Sequence, residues 1–330
     1  MRQLISLTLM ALVSATQVIA ACEGEDVRTR LSAAERLEVT TAAAATPYGS
    51  GTIWTATRGD DRITIAGTMH LFDPRLAPIA AQLAPAISAA DLLLVEAGPE
   101  EEAAMADAIA SDPSLLFLTD GNALTDLMEP EAFIALSRAV EARGLPAAAA
   151  AQMQPWYLSL TLAMPTCALA DLQQGRQGLD AKLIDIALSA GVDVQAVEPW
   201  DTIFSLMSAD PIDDQIDALN LAFMPEDLAN AMNATMLDSY FSGEIAELWE
   251  LSRVVSRQVP GLSADEADTL FAEMEDDLLT RRNLDWMPVI AQAADAHDNI
   301  VLAVGAGHLP GAQGVLRLLE TDGWTITPGL

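Results

Sequence analysis

The sequence predicts an α/β fold: a central mixed sheet built from N- and C-terminal βαβ-type units, with a large helical insertion between them. Three observations carry this expectation. Two apolar, β-branched runs, 63–66 and 300–304, pass into matching turns, Gly67-Thr68-Met69-His70-Leu71 and Gly305-Ala306-Gly307-His308-Leu309. Each turn is followed by a stretch that can form a helix and then by another strand-like run, 91–95 and 323–327. Between the two units, over about 99–297, apolar residues recur at helical spacing, with Pro or Gly at segment ends.

Residues 25–45 read as a helix that loosens at Ala42-Ala43-Ala44-Ala45-Thr46-Pro47. Strands at 52–57 and 62–66 flank Arg58-Gly59-Asp60-Asp61, a hairpin signal because the central residues tolerate positive φ. Residues 78–90 form an alanine-rich helix. Asp91-Leu92-Leu93-Leu94-Val95 is the continuous apolar run of a strand buried on both faces. Strand, helix and strand in so short a span make a parallel, right-handed βαβ unit. In the insertion, 99–111, 130–143, 155–164 and 179–190 read as helices, 192–197 as a strand, and 202–297 as further helices. Strand 300–304, helix 311–320 and strand 324–327 close the chain. The two ends are expected to pair into one sheet, so residues 22–330 form a single domain.

Residues 1–21 read as a secretory signal: Arg2, an apolar stretch over 4–18 too short to span a bilayer, and small residues at Val18-Ile19-Ala20. The mature protein is therefore expected outside the cytoplasm, periplasmic or extracellular. Ile19-Ala20-Ala21-Cys22 also resembles a lipobox, which would make Cys22 a lipid anchor. The competing use of Cys22 is a disulfide with Cys167, the other cysteine. No later stretch is apolar for long enough to make a transmembrane helix. An apolar fraction of 51% over 330 residues supports a substantial core. With 48 acidic against 16 basic residues, and Lys182 the single lysine, the chain repels nucleic acid.

In open α/β sheets ligands bind at the carboxyl ends of strands. His70, Glu96, Glu198 and His308 occupy those ends. The chain has three histidines, and two in matching turns point to one shared site. Gly67 and Gly305 let the backbone turn sharply or approach a ligand closely, and Gly307 joins them in the candidate ligand-binding set. His70, His308 and Glu96 are a plausible divalent-metal set, which would lower the pKa of a bound water or polarise a carbonyl. Without a metal, a histidine held by Glu96 could act as a general base. Residue types and spacing leave both open. His297, in Ala296-His297-Asp298-Asn299 at a helix end, suits the helix dipole and receives no role. Glu198, followed by Pro199 and Trp200, reads as a solvated loop carboxylate. Arg281-Arg282-Asn283 reads either as an exposed basic turn or as an arginine held over the site. Met232, Met236 and Trp249 read as core. Gly-x-Ser-x-Gly, His-Glu-x-x-His and Walker motifs are absent.

Gly67-Thr68-Met69-His70, Val95-Glu96, Gly178-Leu179-Asp180, Val197-Glu198, Arg282-Asn283 and Val304-Gly305-Ala306-Gly307-His308-Leu309-Pro310-Gly311 together resemble the TraB/GumN family. That family is similar to the Tiki metalloproteases and, more distantly, to erythromycin esterase-like and ChaN-like proteins. The resemblance covers roughly residues 52–328. It implies an α/β fold whose paired Gly-x-x-His motifs, here His70 and His308, share one site with Glu96 and the helix pair Arg282 and Asn283. It also implies metal-dependent hydrolysis, as in the Tiki branch. One departure is Gly98, where the family often has an acid two residues after the strand-end glutamate; a second carboxylate ligand is thereby lost. The resulting expectation is an exported hydrolase of peptide or other acyl bonds with a divalent metal ion as cofactor. His70 and His308 would bind the metal or act as base, Glu96 would be a ligand or orient a histidine, and Arg282 and Asn283 would stabilise developing negative charge. The alternative is a non-catalytic protein that sequesters a peptide or small molecule in the strand-end cleft.

Overall fold

The computed structural model describes residues 24–259 and 261–330. The expected secretory signal and both readings of Cys22 lie outside the described residues. The first helix starts later than its spacing implies. A 3-10 turn, Val27–Arg30, precedes α1 (Ala33–Ala45). The reason is a capping box: the Glu35 amide donates to Ser32 Oγ at 3.2 Å, and the Ser32 amide donates to Glu35 Oε2 at 2.7 Å.

The hairpin forms as expected. β1 (Ile53–Arg58) pairs antiparallel with β2 (Asp61–Thr68), and Gly59 in the turn takes a φ of 64°. Next come α2 (Leu76–Ser88) and β3 (Leu92–Val95). The insertion opens with the helices Pro99–Ser111, Pro130–Glu141 and Pro155–Ala163, each with proline in its first turn. It continues through α3 (Leu179–Ala190) and β4 (Asp193–Ala196) to α4 (Glu226–Ser242), α5 (Ile245–Ser256), α6 (Ala264–Glu275) and α7 (Arg281–Ala296). The chain ends with β5 (Asn299–Gly305), α8 (Val315–Thr321) and β6 (Thr325–Pro328). The last helix starts at Val315, not near residue 311, because Gly311 holds a φ of 101° that no helix contains.

The two ends of the chain do build one sheet, in the order β4-β3-β5-β2-β1-β6. β5 runs parallel between β3 and β2, with Ala303 beside both Val95 and Ala66, and β6 pairs antiparallel with β1. The C-terminal unit thus separates the two strands of the N-terminal one. Four parallel strands end on the same edge, which is why residues so distant in sequence meet there. Side chains alternate between the two faces. Leu93, Val95, Val301 and Ala303 pack toward α2 and α3. Leu92, Leu94, Ile300, Leu302 and Val304 pack toward α7 and α8. A separate helical cluster around Leu124, Leu136, Leu158 and Leu219 belongs to the insertion. Among the described residues no helix is long and apolar enough to cross a membrane.

Candidate functional site

α6 and α7 run as one helix through a π turn, Asp276–Thr280. Such a turn adds a residue per cycle and rotates the helix beyond it. Here it leaves Arg281 exposed in pairs with Asp276 and Asp277, while Arg282 is only 8% exposed and reaches the sheet edge. Arg282 is therefore the buried arginine over the site, not half of a basic surface turn. Its Nη1 donates to Leu278 O at 3.1 Å, a carbonyl of the π turn.

The guanidinium grips two strand-end carboxylates. Nη2 donates to Glu96 Oε2 at 2.7 Å and to Glu198 Oε1 at 2.6 Å, and Nε donates to Glu198 Oε2 at 2.9 Å. Trp286 Nε1 donates to the same Glu198 oxygen at 2.8 Å. The expectation of a solvated Glu198 is corrected: its side chain is 10% exposed. Its cation arrives from a helix far along the chain, beyond local reading. Glu96 Oε1 accepts the Gly305 amide at 2.5 Å. Burial pulls the Glu96 carboxyl upward, but neighbouring His308, His70 and Arg282 outweigh it and hold Glu96 below the usual carboxylate range.

His308 lies in the 3-10 turn Ala306–His308 at the end of β5, its ring stacked at a tilt 4.3 Å from Trp286. The Asn283 amide nitrogen donates to Gln313 O at 2.9 Å and faces His308 O at 3.4 Å, so its oxygen must face His308 Nδ1, 2.7 Å away. Nδ1 is then the protonated ring nitrogen, and Nε2 carries the lone pair. That lone pair faces Arg282 Nη1 at 3.3 Å, with Glu96 Oε1 at 3.9 Å. Burial pushes His308 down to about 4, so the ring is neutral at ordinary pH.

His70 is its opposite. It lies two residues past β2, and its side chain is 66% exposed. Nδ1 lies 3.0 Å from Asp180 Oδ2, and Thr68 Oγ1 donates to Asp180 Oδ1. The hydrogen bond to Asp180 raises His70 to about 9. Asp180 stands in the first turn of α3, whose start is locked to the histidine turn: the Leu179 amide donates to Met69 O at 2.8 Å. A Cβ on Gly178 would lie 2.2 Å from His70 O, so only glycine permits that approach.

The structure brings His70, Glu96, Arg282, Asn283 and His308 together, as the sequence implied. A Cβ placed on Gly305 would lie 3.1 Å from Glu96 Oε1, 3.4 Å from His70 Nε2 and 3.5 Å from His308 Cδ2. Gly305 is glycine because the site closes over it. Gly67 serves packing instead: its Cβ would meet Leu309 Cδ1 at 2.8 Å and Ala306 Cα at 3.0 Å. Gly307 lines the cleft. Sequence reasoning gave no role to Asp180, Thr68 or Trp286. The first had a signal, an acid in the first turn of a helix capped by glycine, within Gly178-Leu179-Asp180. Met236 and Trp249, read as core, line the cleft above the cluster; Met232 packs in the core as expected. Gly98 caps the helix Pro99–Ser111, its amide donating to Glu101 Oε2 at 3.0 Å.

The donors do not fit the divalent ion that the resemblance implies. The His308 lone pair faces a guanidinium, and each Glu96 oxygen already accepts one hydrogen bond. A divalent ion would have to displace Arg282 from His308 and Glu96 before the two could hold it. Among the described residues no three Asp, Glu, His or Cys side chains converge in a metal-holding geometry.

Fold and site together define an α/β protein with a buried Arg–Glu–His cluster at the ends of four parallel strands. A family model, described as the TraB/PrgY/gumN family, matches residues 52–328, and the chain belongs to that family. A search of curated proteins gives no match.

Proposed function

We propose that the protein hydrolyses peptide or other acyl bonds through its paired histidines, without a bound metal ion. The observation that carries this reading is the placing of two histidines over Gly305 in opposite settings, His70 hydrogen-bonded to the Asp180 carboxylate, which raises it to about 9, and His308 buried, which lowers it to about 4. Paired groups whose environments drive their pKa values apart are how acid and base roles are divided at one pH. His308 is the base. Once Arg282 Nη1, 3.3 Å away, turns from it, Nε2 takes a proton from water as the water oxygen bonds to the carbonyl carbon, and Glu96 Oε1 at 3.9 Å steadies the imidazolium that forms. Glu96 itself is a poor proton acceptor, since its neighbours outweigh burial and hold its carboxyl below the usual carboxylate range. His70 is the acid. It stabilises the developing oxyanion and gives its proton to the leaving group as the acyl bond breaks. Arg282 holds Glu96 and Glu198, and Asn283 fixes the His308 tautomer. The leader-like first 21 residues support a place of action outside the cytoplasm.

The test is kcat/KM against pH on a panel of fluorogenic esters and peptides, using protein dialysed against chelator. Activity is expected to rise with pH through about 4, as His308 loses its proton, and to fall through about 9, as His70 loses its own. Loss of turnover on chelation, restored by one divalent ion, would replace this reading with the metal-dependent one; Arg282 would then have to release His308 and Glu96.

A further inference from the structure

We infer that the substrate presents an uncharged, apolar acyl chain beside the scissile carbonyl; this rests on the hydrolase reading of the site. Directly over His70, Arg282 and His308 lies a cleft of about 390 Å³, within the size range of small-molecule sites. Its walls come from three neighbouring elements: Met236 from α4, Ile245, Leu248 and Trp249 from α5, and Leu278 and Leu279 from the π turn. The chain carries 48 acidic residues, yet none lines this cleft. A cationic substrate group would therefore find no partner there.

The walls also offer little to hydroxyl-rich ligands. The Tyr240 hydroxyl, which could have served, donates to Gly67 O at 2.9 Å, and burial pushes its phenol up so that it keeps its proton. Trp249 Nε1, buried with no hydrogen-bond partner among the described residues, offers a single donor, enough for one ester or amide oxygen and too little for a ring of hydroxyls. A sugar would leave its hydroxyls unpaired against such walls, at a cost for each. Polar contact is confined to the floor, where His70 suits a carbonyl oxygen. Methionine in the wall lets the cleft adapt to an unbranched chain. An aliphatic acyl ester or N-acyl amide matches this division, apolar above and polar below.

The experiment uses p-nitrophenyl esters from acetate to octanoate with the full chain. Each added methylene is expected to raise kcat/KM about fourfold until the cleft is filled, from about 0.8 kcal/mol per buried CH₂. Leu279→Asp should flatten that series, and Leu279→Thr, a milder change, should halve its slope. A flat series in the unaltered protein, or preference for a charged acyl group, overturns the inference while leaving the hydrolase reading intact. If no ester or amide is turned over, the hydrolase reading fails, and binding decides the inference separately. Octanoate should then quench tryptophan fluorescence saturably and far more tightly than acetate, with Trp249→Phe removing the signal. Equal binding of the two acids, or binding of neither, overturns it.

Discussion

Arg282→Ala should lower the unfolding free energy by about 3–5 kcal/mol, the range for breaking a buried ion pair from one side. Glu96 and Glu198 have side chains only 15% and 10% exposed, and both accept from this one guanidinium. Removing it leaves two carboxylates facing each other with little water to solvate them. The loss should appear as a lower urea midpoint without a change in slope. Adding Glu198→Gln to Arg282→Met should recover part of it, since that removes one stranded charge. A loss under about 1 kcal/mol would mean that the cluster is solvated and its charges are screened.

His308→Ala and His70→Ala should each reduce kcat by about 10²–10⁴-fold, the usual contribution of a positioned acid or base. Far-UV circular dichroism should be unchanged for His70→Ala, because that ring is exposed. The two variants should not multiply in combination if the groups act in one step. Asp180→Asn offers a finer test. Hydrogen bonding to Asp180 raises His70, so the substitution should draw the alkaline limb of the pH profile down from about 9 toward the ordinary histidine value while the acid limb stays. The same groups set stability against pH. His308 is depressed in the folded state, so its contribution is complete above the ordinary histidine range and is lost as pH falls through about 4. His70 is raised, so its contribution is present below that range and is lost as pH rises through about 9.

The sheet was legible where strands are short, β-branched and bounded by turn residues. The run 91–95 and the hairpin at Gly59 lie within a residue or two of where the sequence places them. The matching Gly-x-x-His turns lie side by side because β2 and β5 pair directly, bringing Thr68 beside Gly305. Partners supplied from afar were not legible. Asp180 meets His70 across 110 residues, and Arg282 meets Glu198 across 84. No local pattern shows that a carboxylate will be buried when its cation comes from another element. The π turn is equally silent in the sequence, since Asp276–Thr280 continues the spacing of the helices on either side. That single turn decides which of two adjacent arginines is buried. The metal expectation came from residue types and from the family resemblance; neither shows that Arg282 pairs with Glu96 and faces His308.

The most direct measurement is a proton–nitrogen NMR titration of the histidine rings, which needs no substrate. The chain has three histidines, so single substitutions assign them. His70 should titrate near 9 and His308 near 4, with the proton of neutral His308 on Nδ1. If both rings titrate together near the ordinary histidine value of 6.5, the division into acid and base is wrong and the proposed chemistry falls with it.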